Sequence, residues 1–172
     1  ALVAGLIPQP TTDELVAALP AETGLSGLVW GPAVDDHILP VAPSEGFAQG
    51  AVAQDIPNIM LATKDEQNLL VLFRGKMDID EQTYQTIIAD LTPSEDDLPK
   101  ILEQYAASKY ETPALALGDF LTDREVKCTM RNDLRALDAS GVDAYMAHFT
   151  IGRPQLPGME ALGAFHTVDV DF

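Results

Sequence analysis

Apolar and polar positions along this chain switch between a helical and an alternating period, and the switches mark its elements. "TTDELVAAL" predicts a short helix over Thr11 to Leu19, capped by Thr11 or Thr12 and ended by Pro20. "GPAVDDHILPVAP" is broken by Pro32, Pro40 and Pro43 and predicts an extended, turn-rich surface segment. "SEGFAQG" predicts another short helix, ending at Gly50. A bounded apolar run follows Pro57, within Ile56 to Thr63, and predicts a buried strand near 57–62.

The period then changes. In "KDEQNLLVLF" Leu69, Leu70 and Phe73 fall at helical spacing, so Asp65 and Glu66 sit where a strand hands over to a helix. Acids at that junction are presented at the carboxyl edge of a sheet, where α/β folds keep their chemistry. "TPSEDDLPKILEQYAASKY" has Ser94 three residues before Asp97, close to a capping box. Its Leu98, Ile101, Leu102 and Tyr105 share one face. "TDREVKCTMRNDLRALDASG" predicts a helix with Thr122 as cap, a stripe of Val126, Met130, Leu134 and Leu137, and Gly141 just past its end. "VDAYMAHF" alternates as a strand near 143–149. A Gly/Pro loop, "TIGRPQLPG", then leads to His166.

Composition narrows the function classes. A hydrophobic content of 47% in 172 residues suits one globular domain with a real core. Ten Lys+Arg against 27 Asp+Glu give a net charge of −17, which repels phosphate backbones and anionic lipid surfaces, so nucleic-acid binding is disfavoured. As a bulk property this charge reads as a solubility device or an adaptation to salt. No apolar run approaches the ~18 residues of a membrane span. "ALVAGLI" lacks the basic flank of a signal peptide, and the compartment stays open. One cysteine, Cys128, excludes an internal disulfide and a cysteine-based zinc site.

Candidate chemistry rests on the order strand, acid, helices, strand, loop, histidine. Serine hydrolases of the α/β type place acid and histidine on loops after strands in that order. The carboxylate holds the imidazole in one tautomer, so that its other nitrogen can take the serine proton. Glu66 and His166 are the candidates. By spacing alone, Glu66 reads equally as a first-turn acid of a helix, and His166 as an ordinary loop histidine.

The wording around these residues resembles the type-B carboxylesterase family, which includes cholinesterases and bacterial nitrobenzyl esterases. Pro32, Asp35, Leu39 and Pro40 match its Pro-x-x-Asp-Gly-x-x-Leu-Pro segment, and Asp65–Glu66 match the Asp-Glu-Gly that carries the triad acid. "LTDREVKC" is similar to its Asp-x-x-Phe/Val-x-Cys-Pro helix through Asp123, Val126 and Cys128. "LGAFHTVDV" is similar to the block that carries the triad base, with His166 at its histidine. The likeness runs from about Leu6 to the end. Three positions depart from it: Asp36 and Gln67 stand where the family has Gly, and Thr129 where it has Pro.

The resemblance implies an α/β-hydrolase fold, of which this is the carboxyl-side portion, with strands in a mixed sheet. It also implies carboxylic ester hydrolysis without metal or organic cofactor, with Glu66 and His166 as acid and base of the triad. The family's oxyanion loop and nucleophile elbow lie upstream, and no Gly-x-Ser-x-Gly occurs here; "GLSGL" at Gly24 to Leu28 has its second Gly too early. The expected partners are therefore a small-molecule ester and the amino-side portion of the same protein, the isolated piece being inactive. The alternative is a non-catalytic, cholinesterase-like binding or adhesion module. Asp78 and Asp80 lack the glycine of a calcium loop. His37 reads as part of a surface turn and His148 as a packing or outward-facing strand residue.

Overall fold

The computed structural model describes residues 33–152 and 157–171. The helix expected over Thr11 to Leu19 and the Gly24–Leu28 segment lie outside them. Two strands, β1 (Asn58–Thr63) and β2 (Ala144–Phe149), pair in parallel, Asn58 opposite Ala144 through to Thr63 opposite Phe149. Parallel neighbours need a crossover, and here it is helical. α1 (Pro43–Ala48) precedes β1. The crossover comprises α2 (Asn68–Phe73), α3 (Glu81–Leu91), α4 (Leu98–Gln104), α5 (Pro113–Leu121) and α6 (Cys128–Ala139). The content is mixed helix and strand. The two described strands are parallel, so the antiparallel component of a mixed sheet is not among them.

Two of the described helices start where side chains satisfy their free N–H groups. Asp80 caps α3 by accepting from Thr83 N at 2.8 Å, and Thr112 caps α5 by accepting from Leu115 N at 3.3 Å, with Pro113 in the first turn. Neither helix is among the expected elements, although Tyr84, Ile87, Ile88 and Leu91 of α3 do stand at helical spacing. The helix foreseen around 94–109 shrinks to α4, whose Asp97 makes no side-chain cap bond. Thr122 does not cap a new helix. α5 runs through a π-helical segment, Thr122–Lys127, into α6, and the Thr122 hydroxyl donates to Gly118 O at 2.7 Å. Gly141, at φ +91°, does follow the end of α6.

Three apolar clusters hold this arrangement. One joins Val71, Tyr84, Ile88, Leu117, Phe120 and Leu121 between α2, α3 and α5. Complete burial of a Leu or Val of this kind stabilises by about 1.5–3 kcal/mol each. A second packs Leu69 against Leu162, Ala164, Phe165 and Val168, beneath the segment that carries His166. The third sets Leu134, Leu137 and Val142 on one face of the sheet, against Met60 and Ala144. The other sheet face is bare: Ile59 is 69% exposed, Leu61 50% and Tyr145 56%. β1 was expected to be buried; only Ala62 and Thr63, at its carboxyl end, are.

Candidate functional site

Glu66 lies in the turn between β1 and α2, just past the carboxyl end of β1. His166 lies beyond the carboxyl end of its neighbour β2, between the buried Phe165 and Val168. The structure brings the two together: His166 Nδ1 hydrogen-bonds Glu66 Oε1 across 100 residues. The Glu66 side chain is 14% exposed and that of His166 53%.

Each partner is held from outside the pair. Glu66 Oε2 accepts from the Thr63 amide at 2.8 Å and from the Thr63 hydroxyl at 2.5 Å. Burial pushes the Glu66 carboxyl upward, but the bonds from Thr63 and His166 outweigh it and hold the group below its ordinary range. Lys64 N donates to Phe149 O at 2.8 Å, tying the turn to the end of β2. The His166 segment is fastened to the same turn. Asp65 N donates to Ala164 O at 2.9 Å, Ala164 N donates to Asp65 Oδ2 at 2.8 Å, and the buried Asn68 donates through Nδ2 to Leu162 O at 3.1 Å. Gly163 adopts φ +66°, and a Cβ there would lie 2.3 Å from Asp65 Oδ2. Glycine is required at that spot on both counts.

Gln67, where the resemblance would place a glycine, has φ −88° and needs none. Its amide donates to Thr122 Oγ1 at 3.0 Å, anchoring the acid's turn to the start of the π-helical segment. Such tertiary anchors were invisible to sequence reasoning; a buried threonine following an apolar helix was the one available signal.

With Nδ1 engaged by the carboxylate, Nε2 is the nitrogen left for a substrate or nucleophile. A carboxylate so placed fixes the tautomer and stabilises the imidazolium when the ring takes a proton. Among the described residues no serine, threonine or cysteine side chain hydrogen-bonds to His166. Nor does any group of three His, Cys, Asp or Glu side chains among them suit a metal ion. Asp80 is engaged as the α3 cap. His37 sits in an exposed turn closed by Asp35, whose Oδ1 accepts from the amides of His37, Ile38 and Leu39. His148 is exposed on β2. Neither joins the Glu66–His166 pair.

The chain matches no protein-family model and no curated protein. The resemblance stated above thus stands on its own blocks, of whose residues Pro32 lies outside the described ones. Asp36, at the position where the family segment has Gly, adopts φ +58°, a left-handed conformation that Asp tolerates better than most residues. Asp123 accepts from Tyr105 OH at 2.9 Å and pairs with Lys127 at 3.1 Å, while Val126 is half-buried and Cys128 exposed. No helix among the described residues is long and apolar enough to cross a membrane.

Proposed function

We propose that this chain is the carboxyl-side portion of an α/β-hydrolase that cleaves carboxylic esters. In this reading it supplies Glu66 and His166 as acid and base of a Ser-Glu-His triad whose serine lies outside it. The observation that carries the proposal is the Glu66–His166 hydrogen bond, formed beyond the carboxyl ends of two adjacent parallel strands. The left-handed Asp36, at a family glycine position, supports the resemblance independently of the pair.

The serine attacks the ester carbonyl while His166 Nε2 accepts its proton. His166 then gives the proton to the departing alcohol, and in the second half activates water to release the acid. Glu66 remains ionised throughout, orienting the ring and stabilising its charged form. Backbone N–H groups of the amino-side portion hold the oxyanion. No metal or organic cofactor enters these steps. The amino-side portion is also the partner for the sheet face of Ile59, Leu61 and Tyr145, whose exposed apolar area favours burial against another surface.

The test is ester turnover by the complete protein, with labelling by a fluorophosphonate probe. Labelling of a serine, together with its loss in His166→Ala, is the expected result. A complete protein that neither labels nor turns over any p-nitrophenyl ester would instead favour the binding-module reading.

A further inference from the structure

The two oxygens of Glu66 are used differently. Oε1 faces His166, whereas Oε2 is held by a single residue, Thr63, through both its amide and its hydroxyl. Thr63 is the last residue of β1, is 2% exposed, and pairs with Phe149 of β2 in the parallel ladder. Its β-branched side chain has restricted χ1 freedom, so the hydroxyl is aimed by a rigid strand rather than by a loop. Glu66 itself lies in a turn and would otherwise choose among carboxyl orientations.

We propose that Thr63 is a positioning residue of the Glu66–His166 pair, gripping Oε2 from the strand end so that Oε1 is presented to Nδ1. The structural part of this inference needs no reaction; its consequence for turnover rests on the hydrolase reading. The groups facing the Glu66 carboxyl are Thr63 and His166. The adjacent Asp65 is turned away, its Oδ2 on Ala164 N and its Oδ1 4.0 Å from Lys64 Nζ. Removing the hydroxyl leaves burial less opposed, so the carboxyl becomes harder to ionise.

Thr63→Val removes the hydroxyl and keeps the shape; Thr63→Ser keeps the hydroxyl. Side-chain ¹³C titration of Glu66 in the complete protein should show a higher midpoint in Thr63→Val and a near-native one in Thr63→Ser. In the complete protein, kcat should fall about tenfold in Thr63→Val with KM unchanged, and Thr63→Ser should restore it. In the unmodified chain the Thr63 amide proton should shift with the Glu66 midpoint, a readout independent of how any variant folds. A Thr63 amide indifferent to that titration, or a Thr63→Val variant with the native midpoint, overturns the inference. Native turnover in Glu66→Gln and His166→Ala overturns the hydrolase reading instead, and leaves the grip on Oε2 to be judged by the titrations.

Discussion

Asp65 and Ala164, 99 residues apart, hold each other through two hydrogen bonds: amide to carbonyl in one direction, amide to carboxylate in the other. Asp65 is the residue before the acid and Ala164 stands two before the histidine. The relative placement of Glu66 and His166 is thus supported one or two residues upstream of each, by bonds that add to those the pair makes itself.

Gly163→Ala should break this clasp. A left-handed conformation costs a residue with a Cβ about 1–2 kcal/mol, and the new methyl would lie 2.3 Å from Asp65 Oδ2. The expected result is destabilisation by at least about 2 kcal/mol, a thermal midpoint lower by roughly 4–8 °C, and loss of turnover in the complete protein. Calorimetry on the wild type and the variant checks it.

Turnover should depend on both members of the pair. In the complete protein Glu66→Gln is expected to lower kcat by roughly 10²–10⁴-fold, and His166→Ala by at least as much. The 172-residue chain alone should show no turnover, since losing the nucleophile costs about 10⁶ in kcat in the subtilisin series. Assays with p-nitrophenyl esters decide each case, and native rates in either variant would remove that residue from the mechanism.

Stability should carry a signature of Glu66 in acid. Its carboxyl is held below the ordinary value of 4.5, so the folded state binds fewer protons there than the unfolded state. The stabilisation is complete above the unfolded pKa and disappears as pH falls through the folded one. Urea midpoints of wild type and Glu66→Gln should begin to converge as pH falls past 4.5 and continue to do so through the lower, folded value. The lowered carboxyls of Asp35, Asp80 and Asp97 are common to both proteins and cancel in the difference.

The exposed sheet face should make the chain self-associate, or bind the amino-side portion that the proposed hydrolase reading requires. Ile59→Lys with Leu61→Lys is expected to reduce self-association in sedimentation experiments and to weaken reassembly with that portion. A wild-type chain that is monodisperse and unfolds cooperatively as a monomer would count against this.

Elements with a one-sided apolar pattern were legible in the sequence. The change of period at Asp65–Glu66, the β2 alternation and the glycine after α6 appear near their expected places; position after strands made Glu66 and His166 candidates only, and the family resemblance singled them out. α5 was missed for a physical reason: Ala114, Ala116, Leu117, Gly118, Phe120 and Leu121 are all buried, so the helix shows no polar face to set a period. α3 has no such excuse: Tyr84, Ile87, Ile88 and Leu91 stand at helical spacing behind Asp80, whose carboxylate is the cap. Thr122 looked like a helix start because threonines often cap, yet here its hydroxyl bonds back to the preceding turn. The grip of Thr63 on Glu66 and the clasp of Asp65 on Ala164 arise from tertiary geometry, which no local pattern encodes.

The segments that carry Glu66 and His166 are moored to the helical crossover as well as to each other: Asn68 Nδ2 donates to Leu162 O, and Gln67 N donates to Thr122 Oγ1. A change of length in the crossover that displaced Asn68 or Thr122 would therefore be felt at the Glu66–His166 hydrogen bond. Tolerance to insertion is confined to stretches of the crossover remote from both moorings.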